Sequence, residues 1–247
     1  MKISTGPLIR SASDTGEASR PILVVPLPKL PYFCGMNTTT ASRSQQEENL
    51  RTVHMLGLQL PTDPRWVNLA ERDLGEILTD HAYCEQKATT TCISMITQYP
   101  ERTEMVEALA PVVAEEWGHF RAVLAELKKR GLELGRQRKD EYVNKLMKFA
   151  KVGGTRDEQL LNKLLLCALI EARSCERFRL LSLHIADAEL KKFYHKFMVA
   201  EAGHYRLFID LAGLYCGKEK ARARWKEFLA FEADMLETLE VRGDRMH

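Results

Sequence analysis

The chain has 247 residues, 45% of them hydrophobic and 28% charged, with a formal net charge of +2. That length buries a substantial core, in one large domain or two small ones, and no apolar run approaches the roughly 20 residues that span a bilayer. So balanced a charge leaves any attraction to nucleic acid to local patches rather than to the total.

Residues 1–50 are rich in Ser, Thr, Pro and Gly and show no helical period, so they read as a flexible N-terminal tail. Asp14, Glu17 and the missing amphipathic period argue against an organelle transit peptide. The remainder, 51–247, reads as one helical domain. Asp63 and Pro64 form a helix-start signal, opening a long apolar-periodic stretch to about Gln98 that breaks at Pro100. A second helix is expected from about Glu101 to Arg130, ending at Gly131, with Pro111 either kinking it or marking a late start. A polar connection with a short helix near 140–150 follows. Further helices span about 157–185, 188–215 (with Asp187 as cap) and 219–240. Alternation of Val, Ile and Thr over five or more residues is lacking, so the fold class is all-α. Six cysteines, at 34, 84, 92, 167, 175 and 216, include no pair with the two-residue spacer of a zinc or redox motif. Free thiols in apolar helical sequence point to a reducing, cytoplasmic setting.

"EEWGHF" (115–120) and "EAGHYRLF" (201–208) each place a histidine three residues after a glutamate. On a helix, positions i and i+3 share a face, so Glu116 and His119 aim at one point, as do Glu201 and His204. A carboxylate with an imidazole is half of a site suited to iron, manganese or zinc. One such pair would mean little; what stands opposite each pair decides. In an antiparallel hairpin, residues equidistant from the turn sit at one height. With turns near Pro100 and Asp187, the partners fall at Glu85 and Glu171. Glu116 follows Glu85 by 31 residues (116 − 85) and Glu201 follows Glu171 by 30 (201 − 171). Two facing hairpins thus bring four carboxylates and two imidazoles to one interior, the ligand set of ferritin-like dimetal bundles. Glu176 competes with Glu171, but five residues of helix turn it about 140° away. Hairpin symmetry favours Glu171 and leaves Glu176 as a salt-bridge or outer partner. His81, one turn before Glu85, has a pocket-lining and a structural reading; His184 and His195 lie near the far turn, away from the metals.

"DHAYCEQKAT", "AEEWGHF", "RGLELG", "ALIEARSCERF" and "FYHKFMVAEAGHY" resemble, in order and spacing, the tRNA 2-methylthio-isopentenyladenosine hydroxylase family over about residues 56–240. The resemblance implies a ferritin-like four-helix bundle with additional flanking helices. It also implies a non-haem di-iron monooxygenase that uses O2 to hydroxylate the prenyl group of a modified adenosine beside the anticodon of tRNA. On that resemblance Glu85, Glu116, His119, Glu171, Glu201 and His204 hold two Fe ions, with Glu116 and Glu201 bridging. The chain departs from the family at Gly118 and Gly203, where an arginine usually precedes each motif histidine. Helix-interior glycine costs roughly 1 kcal/mol against alanine, and these two open space beside the metals.

A hydroxylase of this kind takes electrons from a separate reductase, since nothing in the sequence looks like a flavin or nicotinamide site. A tRNA partner fits two basic clusters. One is Lys128, Lys129, Arg130, Arg136, Arg138, Lys139, Lys145, Lys148 and Lys151; the other is Lys218, Lys220, Arg222, Arg224 and Lys226. The rival readings are a ferritin-like ferroxidase, a di-iron hydroxylase of another small substrate, and a metal-free helical module.

Overall fold

The computed structural model describes residues 43–151 and 153–247, and among these there are eight α-helices and no strand. They are α1 (Arg43–Met55), α2 (Trp66–Ala70), α3 (Leu74–Gln98), α4 (Thr103–Lys129), α5 (Glu141–Ala150), α6 (Arg156–His184), α7 (Ala188–Cys216) and α8 (Lys218–Leu236). The four long ones form two antiparallel hairpins, α3/α4 and α6/α7, which approach each other most closely along α4 and α7. This is a ferritin-like four-helix bundle, flanked by α5 and α8 packed on α6.

Local chemistry explains most boundaries. Gly131 takes φ 67° after α4, and its N–H reaches Lys128 O while that of Leu132 reaches Leu127 O, a Schellman ending. Thr155 and Glu158 form a reciprocal capping box before α6. Asp140 caps α5 through Val143 N, and Asp187 caps α7 through the backbone N–H groups of Glu189 and Leu190. α4 runs unbroken past Pro111 from Thr103, so a late start is ruled out. Pro111 and Glu107 are both exposed, on the solvent side of the helix, where a carbonyl left without a donor costs least.

Two expectations fail. α1 begins inside the stretch read as a tail, because "RSQQEENLRTVHM" is too polar to show an apolar stripe. Val53 nevertheless is buried, and with Leu56 and Leu58 it joins the core. The rest of the tail, 1–42, with Asp14, Glu17 and Cys34, lies outside the described residues. The long helix expected from Pro64 is instead the short α2 and then α3. Asp63 does not cap a long helix: its carboxylate is engaged by Arg65. Asp73 is the working cap, accepting from Glu76 N at 3.0 Å.

The apolar interior is split in two. One cluster joins the Cys92–Met95 end of α3 to Met105–Val112, Leu160–Cys175 and Phe208–Ala212. The other joins Trp66, Ile77 and Leu78 to Val123, Phe178, Leu181 and Tyr194. Residues 242–247 fold back onto the second cluster: Met246 is fully buried and its N–H donates to Asp80 Oδ2 at 2.7 Å. Gly243 permits that seat, since a Cβ there would lie 2.3 Å from the Leu69 carbonyl carbon.

Candidate metal centre

Polar groups fill the gap between the two apolar clusters. Glu85 from α3, Glu116 and His119 from α4, Glu171 from α6, and Glu201 and His204 from α7 all point into it. The four carboxylates are only 1–7% exposed. Their donor atoms form two groups, each spanning no more than 4.8 Å: Glu85, Glu116, His119 and Glu201 in one, Glu116, Glu171, Glu201 and His204 in the other. His119 Nδ1 lies 3.5 Å from Glu85 Oε2 and 3.4 Å from Glu116 Oε2. His204 Nδ1 lies 2.8 Å from Glu116 Oε1 and 3.3 Å from Glu201 Oε2. All six residues singled out in the sequence therefore meet, and Glu116 and Glu201 belong to both groups.

These contacts are poor hydrogen bonds. Both Glu116 oxygens and His119 Nδ1 are buried without a hydrogen-bond partner, although imidazole nitrogens lie close to the glutamate. The donor atoms converge on shared points rather than on one another. A buried carboxylate without partners costs several kcal/mol, and a pair of divalent cations at the two shared points would remove that cost. The donor set of carboxylates and neutral imidazoles suits iron, manganese or zinc. The residues present fit a dimetal centre.

Without metal, protons take up the strain. Burial pushes the Glu85 and Glu171 carboxyls well above the usual range, and the like charges of Glu201 and Glu116 add to this. Burial also acts to raise Glu116, but His119 and His204 beside it more than offset that and hold it below the usual range. Burial lowers both imidazoles, yet Glu116 and Glu85 raise His119 to about 10, and Glu116 and Glu201 raise His204 to about 11. The stabilisation from these two cations is complete below the unfolded histidine value of 6.5 and is lost as pH rises through about 10 and 11. Metal-free protein is therefore expected to melt at a falling Tm between pH 7 and 10, with a flatter profile in His204→Gln. A Tm that held or rose across that window would contradict the charged imidazoles.

Other neighbours sort themselves out. His81, fully buried among Phe178, Phe193, Tyr194 and Phe197, is pushed well below its usual pKa by burial. As a neutral ring it donates from Nε2 to Glu85 Oε1 at 2.7 Å, so it orients that carboxylate. Glu176 points elsewhere: it accepts from Thr62 N and Oγ1 and from Arg173. Sequence reasoning missed Glu115, whose Oε2 lies 3.2 Å from His204 Nε2 and whose Oε1 lies 3.9 Å from His119 Nε2. Its spacing of four residues before His119 was the available signal. His184 and His195 belong to neither group.

Between α3, α5 and α6 a cavity of about 520 Å³ ends on Glu85, Glu171 and Glu201. Its walls include Ala88, Met95, Met147, Ile170 and Phe208, and Lys87 and Lys163 border it.

Comparison with known proteins narrows the meaning of this centre. The family model described as tRNA-(MS[2]IO[6]A)-hydroxylase (MiaE) matches residues 48–247. The chain belongs to the MiaE family. A Pseudomonas putida relative named tRNA 2-(methylsulfanyl)-N(6)-isopentenyladenosine(37) hydroxylase is 34% identical, over 73% of this chain and 87% of that one. A relative of the same name from Salmonella typhimurium is 25% identical, over 72% and 83%. Among solved structures, a Synechococcus protein described as having aldehyde deformylating oxygenase activity superposes with a TM-score of 0.72. It is 33% identical over 77% of this chain and 94% of its own. Gly118 and Gly203, expected from the sequence to open space beside the centre, do not. Both are exposed, and a Cβ on either would meet nothing within 4 Å. They face outward because each is one residue before its inward-facing histidine, about 100° around the helix.

Proposed function

We propose that this MiaE family member is a di-iron, O2-dependent monooxygenase that hydroxylates the isopentenyl group of a modified adenosine beside the anticodon of tRNA. Family membership over 48–247 carries the reading, and the cavity's form supports it. A mostly apolar chamber that ends on carboxylates suits a short hydrocarbon group to be presented to the centre. Glu85, Glu116 and His119 would hold one ion and Glu171, Glu201 and His204 the other, with Glu116 and Glu201 bridging. Bound there, ferrous ions would supply coordination positions and electrons for dioxygen chemistry. His81 fixes the Glu85 carboxylate, Glu115 accepts from the outer nitrogen of His204, and the apolar walls exclude water.

Placing one oxygen atom of O2 in a C–H bond and reducing the other to water consumes two further electrons and two protons. That demands an external reductase. The tRNA would dock over the cavity mouth, where Lys87 and Lys163 stand and α5 carries Lys148. The Lys128–Arg130 run is a weaker phosphate site, because Lys129 pairs with Glu189, and Arg130 with Glu126 and Asp187. No helix among the described residues is long and apolar enough to cross a membrane. The free thiols of Cys84, Cys92, Cys167, Cys175 and Cys216 suit the reducing cytoplasm, where tRNA resides.

The test is to load the protein with ferrous iron anaerobically, add O2, a reductant and prenylated tRNA, and digest the product. The adenosine nucleoside is expected to gain one oxygen atom. No gain with iron bound, or turnover of a long-chain aldehyde instead, would overturn the assignment.

A further inference from the structure

On the wall of the same cavity, and sharing no residue with the two donor groups of the centre, three side chains from distant parts of the chain face one another. Cys84 comes from α3, Asp140 from the cap of α5, and His247 from the folded-back segment 242–247. One donor atom from each lies within 4.8 Å of the other two. Asp140 is 5% exposed; its Oδ1 caps α5 at Val143 N, but its Oδ2 is buried with no hydrogen-bond partner.

His247 Nδ1 stands 3.6 Å from that oxygen and 3.8 Å from Cys84 Sγ. The first separation is too long for an N–H···O bond, which closes at about 2.7–3.2 Å. Both are close to the edges of a tetrahedron about one ion. With bonds of about 2.0–2.2 Å to nitrogen and oxygen and about 2.3 Å to sulfur, those edges come to about 3.4 and 3.6 Å. The outer nitrogen of the ring is also fixed. His247 Nε2 lies 2.8 Å from Ser174 Oγ, and with Nε2 donating to that hydroxyl Nδ1 is free to present its lone pair to the cluster. Tyr142 stacks on the ring at 5.5 Å and 12°.

We propose that Cys84, Asp140 and His247 form a second metal site that takes a single zinc-class divalent cation, separate from the dimetal centre. The ion binds through the Cys84 sulfur, the free oxygen of Asp140 and Nδ1 of His247, with a water or an open position as fourth ligand. Binding releases the thiol proton, which passes to solvent or buffer. Its consequence is mechanical: the ion ties residues 242–247 to α3 and to the start of α5, and so sets the wall that His247 and Cys84 contribute to the cavity.

Cobalt(II) reports this site separately, because the six residues of the dimetal centre offer only oxygen and nitrogen. Iron-loaded protein, held anaerobic, is titrated with Co(II) and followed in the near ultraviolet for sulfur-to-cobalt charge transfer. One equivalent is expected to produce the band. Cys84→Ser should abolish it at unchanged iron content. Asp140→Asn, which keeps the helix cap, should weaken cobalt binding by more than about tenfold. Absence of the band in wild-type protein, or a band that survives Cys84→Ser, overturns the proposal.

Discussion

Replacing Glu116 with alanine or glutamine is expected to empty the centre, from about two iron ions per chain to a small fraction of that, and to abolish hydroxylation. Glu116 is the carboxylate that both donor groups share, together with Glu201, and both its oxygens are buried without a hydrogen bond. Its loss takes a ligand from each ion at once and leaves His119 and His204 without their main anionic neighbour. A metal centre supplies several kcal/mol of transition-state stabilisation, so the rate should fall at least about 10³-fold at roughly 1.4 kcal/mol per tenfold. Glutamine keeps the shape and the burial, which separates ligation from packing. If Glu116→Gln retained two irons measured by metal analysis, Glu116 would not be a shared ligand and the bridging role would be wrong.

Why so much of this centre is legible in the sequence has a geometric answer. Helices of nearly equal length joined by short turns put residues equidistant from the turn at one height, so Pro100 and Asp187 act as fiducial marks. From them, Glu85 falls opposite Glu116 and Glu171 opposite Glu201, as in the structure. The five-residue offset that turns Glu176 away is the same helical arithmetic, and Glu176 does bond to Thr62 and Arg173 instead. What escapes the sequence is whatever depends on contacts across the fold. α1 has too few apolar residues to show a stripe, and its burial at Val53 exists only because residues distant in sequence supply the rest of that core cluster. The break between α2 and α3 turns on Asp73 outcompeting Asp63 as a cap, and both have the required side chain. Segment 242–247 has no period at all. It is held by Arg138 on the Asp244 carbonyl and by Trp66 on the Arg245 carbonyl, partners 106 and 179 residues away. Its place beside the cavity could not be seen from spacing.

The second large effect concerns that cavity. Ala88→Trp is expected to lower kcat/KM for prenylated tRNA by roughly 100-fold or more while leaving iron content unchanged. Ala88 lies three residues after Glu85, on the same face of α3 and one turn along the chamber, where it is half-buried and lines the wall. An indole there occupies the space through which a hydrocarbon group must pass to reach Glu85 and Glu171. Misplacing a reacting carbon by about 1 Å is enough to cost about 10²-fold. Because the side chain grows into an existing void, the destabilisation should stay within the 1–3 kcal/mol typical of overpacking. Ala88→Ser, which leaves the void nearly intact, is the control and should behave as wild type. Iron analysis and thermal melting of Ala88→Trp then separate a blocked route from a broken fold. A folded, iron-loaded Ala88→Trp enzyme with undiminished kcat/KM would mean that the prenyl group reaches the centre by another path. In that case the opening between α3, α5 and α6 is not the substrate's entrance, and the lysines around it are not the place where the tRNA backbone sits.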